Sequence, residues 1–487
     1  MTKDLTKGSP MRLLLSFGIP ILFGFLFQQL YNVVDTAIVG QTLGGNALAA
    51  VGSTSSINFL VVGFTTGVCG GFAIPIAQQC GARNDRELRR YVTGSLWLCI
   101  IVGLLLTAAT VALCGNILTL MDTPQDIYHR AWLYIVTIFA GMPGYFLYNM
   151  CAGILRSLGD SRTPVYFLAL ASLLNIGLDF ALILWFDTGV AGAAIATVIS
   201  QGVSGVACLA YMIRKFPVLR MSRQERALNS DSCRTLCGMG VPMGLQYSIT
   251  AIGSIVLQSA VNALGSTYVA AVAAGSKLYQ LLACPYDAMG ATMATYCGQN
   301  VGAMRLERLG KGIRSCALLG AICAVALFGA MTLFSDQCAM LFLDPAEPEL
   351  ELLRSLTSQY VLISCAFFFP LALVNILRFS IQGMGFSVFA ILAGVLEMVA
   401  RTAVGHFLVP LFGYTAACFA SPAAWICADL FLIPACVACV SRLRRDLPVI
   451  RAAAEQESAA EEPAVQSREK AGVLRHAWTT RHTSPKA

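Results

Sequence analysis

Twelve apolar runs, each long enough to cross a bilayer as a helix, follow one another along most of the 487-residue chain. About 20 predominantly apolar residues span the hydrocarbon core, where every backbone N–H and C=O must find an internal partner. That requirement leaves helices or a closed barrel, and runs of this length select helices. Their approximate limits are 13–36, 47–77, 91–114, 131–153, 164–186, 190–213, 236–260, 268–297, 312–334, 356–379, 387–408 and 413–440. Composition agrees: 57% of the residues are hydrophobic and 12% are charged, where soluble domains carry about 25% charged residues. The chain reads as an all-α polytopic membrane protein with twelve transmembrane helices.

The charges between the runs alternate. Lys3, Lys7 and Arg12 precede the first run, and Arg83, Arg86, Arg89 and Arg90 separate the second from the third. Arg156 and Arg162 follow the fourth. Arg214, Lys215, Arg220, Arg223, Arg226 and Arg234 follow the sixth, Arg305, Arg308, Lys311 and Arg314 the eighth, and Arg442, Arg444 and Arg445 the twelfth. The intervening loops hold Asp122, Asp126, Asp187, Asp336, Asp344, Glu347 and Glu349, with Arg130 and Arg354 as exceptions. Cytoplasmic loops gather Lys and Arg, so both termini are expected in the cytoplasm. The formal charge of +7 follows from those loops and does not point to nucleic acid. The 18 cysteines lie mostly singly inside apolar runs, where they act as small hydrophobes. Their spacing matches neither a zinc site nor a disulfide framework, so no metal or cofactor is expected. Ser9-Pro-Met-Arg12 leads straight into a long run, without the short apolar region and cleavage site of a signal peptide.

The second half repeats the first. Gly18-Ile-Pro20 recurs as Gly240-Val-Pro242, and Gln78-Gln-Cys-Gly-Ala82 as Gln299-Asn-Val-Gly-Ala303. Asn149 through Arg156-Ser-Leu-Gly159 recurs as Asn375 through Gln382-Gly-Met-Gly385, with offsets between 221 and 226. Six runs duplicate into six, and an even number keeps both halves in one orientation, a recurring layout of transporters. The expected division is an N-lobe at 1–213, a cytoplasmic loop at 214–235, a C-lobe at 236–441 and a disordered cytoplasmic tail at 442–487, where the composition turns polar and mixed in charge.

Polar groups inside the runs narrow the function. The first run carries Pro20, Gln28, Asn32 and Asp35. An ionisable group at the centre of a membrane helix costs roughly 2.5–3.5 kcal/mol on insertion scales, so it faces a partner or a wet cavity. For Asp35 the alternative is a place at the helix end, touching headgroup water. At a rise of about 1.5 Å per residue, Asp35 lies in the outer half of its run and Asp179 roughly 22 Å from the inner face. Tyr134 lies just below the outer face and Thr197 about 10 Å from it. Asn175 precedes Asp179 by four residues and shares its helix face. Two carboxylates in one poorly hydrated pocket favour uptake of a proton or cation; two unrelated polar residues facing different neighbours are the bland alternative. In the second half, the first run carries Gln246 but no carboxylate. Lys277 and Asp287 share the eighth run, and Glu397 and Arg401 form an i,i+4 pair in the eleventh. These charges either order the second half or contribute to substrate binding. Proline breaks the backbone ladder at Pro20 and Pro242, giving either a static kink or a bending point.

With these residues laid out, the chain resembles the MATE (multidrug and toxic compound extrusion) family, most closely its DinF/MepA-like branch. The resemblance rests on Phe27-Gln-Gln-Leu-Tyr-Asn-Val-Val-Asp35, Gln79-Cys-Gly-Ala-Arg83, Leu155-Arg-Ser-Leu-Gly-Asp-Ser-Arg-Thr-Pro164, Asn175-Ile-Gly-Leu-Asp179 and Gly298-Gln-Asn-Val-Gly-Ala303. It implies a V-shaped antiporter of two six-helix lobes related by pseudo-two-fold symmetry. Such a protein exports amphipathic, often cationic compounds in exchange for H+ or Na+ by alternating access. The resemblance implies an ion-coupling set of Asp35, Tyr134, Asn175, Asp179 and Thr197, with Pro20 as the hinge of the first helix. It implies no carboxylate cation site in the second lobe, because the seventh and tenth runs lack the acids that another branch carries there. Small molecules and the bilayer of a bacterial inner membrane are the expected partners, and the chain is expected to act as a monomer. A lipid-linked oligosaccharide flippase is the rival within the wider superfamily; it would need a more cationic cavity than Lys277 and Arg401 provide. A passive channel would need no titratable pocket. Nothing points to an enzyme, since His406 and the cysteines show no catalytic spacing and no nucleotide-binding loop is present.

Overall fold

The computed structural model describes residues 3–121, 123–221, 225, 227–343 and 349–481. Of the loop charges above, Asp122, Arg223, Arg226, Asp344 and Glu347 lie outside these. The described residues form helices without strands. In chain order they are α1 (Pro10–Leu43), α2 (Gly45–Ala82), α3 (Asp85–Leu120), α4 (Gln125–Ala140), α5 (Met142–Ser157), α6 (Thr163–Phe180), α7 (Val190–Lys215) and α8 (Ser230–Asn262). They continue with α9 (Ser266–Gly302), α10 (Glu307–Met340), α11 (Leu350–Ala366), α12 (Phe368–Gly383), α13 (Ser387–Ala403), α14 (Val409–Phe412) and α15 (Tyr414–Arg481). Single π-helical turns, Ala181–Trp185 and Val404–Leu408, follow α6 and α13.

Nine of these helices are long and apolar enough to cross a membrane, and the bent pairs α4–α5 (46°) and α11–α12 (51°) bring the number to eleven. The remaining expected span, α9, has the length at 37 residues but is more polar. It packs against α1 and α2 of the first half and α10, α11 and α12 of its own. A helix enclosed by protein needs no apolar outer face, which explains its Ser, Thr, Tyr and Gln content. The bends sit beside Pro143 and Pro370, where the ring removes a backbone donor. α1 and α8 run through Pro20 and Pro242 as continuous helices.

The repeat read from sequence recurs in the backbone. Left-handed residues come in pairs at matching places: Gly44 and Gly265, Arg83 and Met304, Gly159 and Gly385, Gly189 and Gly413. Contacts follow the same two-fold logic. The first helix of each half packs against the second and third of the other, α1 on α9 and α10, α8 on α2 and α3. The α2–α8 seam is a pair of small-residue stripes, Gly67 and Gly71 against Gly240 and Gly244. A Cβ on Gly67 would stand 2.5 Å from the Met243 carbonyl oxygen, and one on Gly71 would stand 2.5 Å from Gly240 Cα. Without a side chain the two backbones approach directly, which is how membrane helices gain close packing when lipid is as apolar as they are. Around the seam, Val68, Phe72, Phe146, Met150, Ile154, Leu155 and Leu236 form one buried cluster.

Met1–Val437 forms one compact unit and Ala438–Ala487 another. Taken by itself, the second unit is helical through Arg481. The Ala- and Glu-rich sequence there has high intrinsic helix propensity.

Candidate functional site

Asp35 on α1, Tyr134 on α4, Asn175 and Asp179 on α6 and Thr197 on α7 converge inside the first half. Asp179 and Asn175 are fully buried, at 0% and 1% exposure, and Asp35 is half-buried. The Asp35 and Asp179 carboxyl groups lie within electrostatic reach of each other. Tyr134 is buried within electrostatic reach of both. Asn175 Nδ2 donates to Thr197 Oγ1 at 3.3 Å, and Thr197 Oγ1 donates to the Ala193 carbonyl at 3.1 Å. Among the described residues, Asp35 Oδ1, both Asp179 oxygens and Asn175 Oδ1 have no hydrogen-bond donor, and neither carboxylate is paired with a Lys or Arg. The π-helical turn Ala181–Trp185 begins just after Asp179; such turns recur at functional sites because the widened backbone redirects side chains.

The structure adds Tyr31. Its hydroxyl lies 3.1 Å from Thr197 Oγ1 and within reach of Asp35, Tyr134 and Asp179. It precedes Asp35 by four residues, the helix-face spacing that linked Asn175 to Asp179. Pro20 sits half-buried on α1. Gln28 is half-buried and Asn32 exposed; among the described residues neither side chain hydrogen-bonds to the cluster.

In the second half the acids are matched by arginines. Glu397 pairs with Arg401 at 3.3 Å and also with Arg378 on α12, all three buried. Gln382 Nε2 donates to Gln246 Oε1 at 2.6 Å. Arg378 also lies within electrostatic reach of Asp287 and of Asp429 on α15. Asp287 itself is exposed. Lys277 is exposed and takes no part in this group. Sequence reasoning missed Arg378, Gln382 and Asp429. A lone arginine and a lone aspartate inside apolar runs were the available signals for two of them.

A duplicated all-helical bundle that spans a membrane and buries a donor-free carboxylate pair defines a polytopic membrane transporter. The MatE family profile matches residues 20–181 and 242–407, so its two segments open at Pro20 and Pro242, the prolines of the internal repeat. The chain belongs to the MatE family of transporters and is not an enzyme. It is 30% identical over 354 residues to the probable multidrug resistance protein YoeA of Bacillus subtilis (strain 168), covering 71% of this chain and 76% of that one. Among solved structures, MATE in complex with MaL6 superposes with a TM-score of 0.84 at 21% identity, over 91% of this chain and 100% of that one. The outward-facing conformation of a multidrug resistance MATE family transporter gives 0.83 at 21% identity, with the same coverage. Both likenesses establish the fold.

Proposed function

We propose that this protein exports amphipathic and cationic organic compounds in exchange for protons, which bind at the Asp35–Asp179 pair. The observation that carries this reading is the closeness of two carboxyl groups, Asp35 and Asp179, whose buried oxygens have no hydrogen-bond donor among the described residues. With both ionised the contact is repulsive; with one proton between them it becomes a charge-assisted hydrogen bond. Proton arrival therefore draws α1 toward α6, and proton loss pushes them apart. Asn175, Thr197, Tyr134 and Tyr31 hold the surrounding polar groups in place. A ligand shifts a two-state equilibrium only by its differential affinity, so the proton must prefer one conformation and the drug the other. Asp35 and Pro20 share α1, and the hydrogen bond missing at Pro20 provides a place where that helix can flex.

The multidrug names of the relatives support the substrate class. The alternating loop charges support cytoplasmic termini, and the reading takes the lobes as 1–213 and 236–441, joined by the loop 214–235, in a monomer of a bacterial inner membrane. The flippase alternative is weakened because Arg378 and Arg401 share Glu397, with Asp287 and Asp429 within electrostatic reach of Arg378, so these arginines do not form a bare cationic wall.

The test uses proteoliposomes loaded with a fluorescent cationic dye, under an imposed ΔpH or an imposed Na+ gradient. Dye movement driven by ΔpH is expected for wild type and is lost in Asp35→Asn and Asp179→Asn, both still eluting as folded protein. Normal movement in both variants removes the site. Movement driven only by Na+ keeps the site and replaces the ion.

A further inference from the structure

Residues 3–8, ahead of α1, cross from one half of the molecule to the other. On the first half, Lys3 N donates to the Gly159 carbonyl at 2.9 Å and Lys3 Nζ to the Ser16 carbonyl at 2.8 Å. Asp4 pairs with Arg83 at 3.5 Å. On the second half, Leu5 N donates to Gln299 Oε1 at 3.0 Å, and Asn300 Nδ2 donates to the Leu5 carbonyl at 3.3 Å. Arg305 Nη1 and Arg308 Nη2 donate to the carbonyls of Thr6 and Gly8, each at 2.8 Å. Leu5 is 0% exposed and Thr6 6%. Gly159 is shaped for this seat: its φ is +89°, and a Cβ there would overlap the Lys3 carbonyl.

The seat lies where the halves are pressed together most closely. At this end of α2 and α9, a Cβ on Gly81 would overlap the Gln299 carbonyl and one on Gly302 the Gln78 carbonyl. Two glutamines reach across in mirror fashion, Gln78 Nε2 to the Gly383 carbonyl at 3.1 Å and Gln299 Nε2 to the Ser157 carbonyl at 2.9 Å. Gln299 thus holds the end of α5 with its amide nitrogen and the N-terminal segment with its oxygen. Separating the halves at this end breaks the Leu5, Thr6 and Gly8 bonds or the Lys3 and Asp4 ones, because six residues cannot follow both.

We propose that residues 3–8 are a strap that holds the two halves closed at the end of the bundle bearing the N-terminus and must leave its seat before they part there. The loop charges assign that end to the cytoplasm, so the strap stabilises the state closed to the cell interior. It is anchored away from Asp35 and Asp179 and acts whether or not the coupling reading above is correct.

Hydrogen exchange followed by mass spectrometry, on the full-length protein in lipid nanodiscs, tests this without any transport assay. Two variants are compared with wild type. Leu5→Asp places a charge at a fully buried position, and the double variant Arg305→Ala, Arg308→Ala removes two anchors and the Arg308 bond to Asn300 Oδ1 while leaving Leu5 itself unchanged. Losing two or more net hydrogen bonds predicts exchange at least about tenfold faster in residues 74–82 and 295–302, with residues 127–139 in the first-half core unchanged. Unchanged exchange at 74–82 and 295–302 in both variants overturns the proposal. So does a matching loss of protection at 127–139, which would make the segment a general staple of the fold.

Discussion

Gly71→Ala tests whether the α2–α8 seam depends on backbone contact. A Cβ at position 71 would lie 2.5 Å from Gly240 Cα and 2.7 Å from the Met239 carbonyl oxygen, where non-bonded carbons settle at about 3.5–4.0 Å. The helices must therefore separate by roughly an ångström at that point. Backbone atoms cannot rotate aside as a flexible side chain would, so the separation spreads along the seam and loosens Phe72 and Val68 beside it. Two opposing effects decide the outcome. Alanine gains about 1 kcal/mol of helix propensity over glycine, while overpacking costs typically about 1–3 kcal/mol, with a backbone obstacle toward the upper end. The expected net loss is about 1–2 kcal/mol. Gly329 on α10 is the control, because a Cβ there would meet nothing within 4 Å. Gly329→Ala should keep most of the propensity gain. Thermal unfolding read by tryptophan fluorescence at one scan rate should place Gly71→Ala below wild type and Gly329→Ala at or above it. If Gly71→Ala melts together with Gly329→Ala, the seam does not rest on close backbone approach.

Two further outcomes follow from charges that the mechanism does not use. Glu397→Gln keeps the side chain's volume but leaves Arg378 and Arg401 without their shared carboxylate; breaking a buried pair in this way costs about 3–5 kcal/mol. Its melting temperature should fall well below that of Gly71→Ala, and a curve overlaying wild type would show that Asp287 and Asp429 suffice to balance the arginines. Asp4 in the strap gives a pH dependence. Burial pushes its carboxyl up, but bonds from the Thr6 hydroxyl and N–H, with Lys7 and Arg83 nearby, outweigh this and hold it below its unperturbed value of 3.8. A folded value below the unfolded one gives stabilisation that is complete above the unfolded pKa and lost as pH falls through the folded one. Protection of the Thr6 amide, corrected for intrinsic exchange, should therefore stay flat between about pH 5 and 8. A decline inside that window would assign the strap's pH response to another group.

What was legible in the sequence follows from which forces act locally. Long apolar runs announce themselves, because the bilayer imposes a minimum length on each one separately. Depth along a helix is simple arithmetic, so Asp35, Tyr134, Asn175, Asp179 and Thr197 could be grouped before any contact was known. Tyr31 escaped because depth places it a full turn from Asp35, while its long side chain reaches back to Thr197. Arg378 escaped because it stands near the end of its apolar run, where a charge passes for an interfacial anchor. The glycine stripes could not be read as a seam, since spacing on one helix does not say which neighbour lies against it. The strap was invisible for the same reason: Leu5 and Gln299 are joined by a contact between opposite halves of the chain, and neither residue is unusual alone.

The duplication explains both what the halves share and where they part. The frame has been copied closely, with the same left-handed turns, the same mid-span bends and the same π-helical turn just past a buried charged group, Asp179 in one half and Arg401 in the other. The buried charge has not. In the first half two carboxyl groups lie close together with nothing basic paired to either among the described residues, and under the proposed function a mobile cation completes the set and changes the force between α1 and α6. In the second half Glu397 lies between two guanidinium groups, and its charge is balanced by residues that stay in place. Under the proposed function, a pair that needs an outside partner can report the presence of that partner, whereas an internally ion-paired triad needs none. On the same proposal, the first half holds the ion-responsive pair, and the second half, with α9 and α10 packed on α1, provides the frame against which it acts.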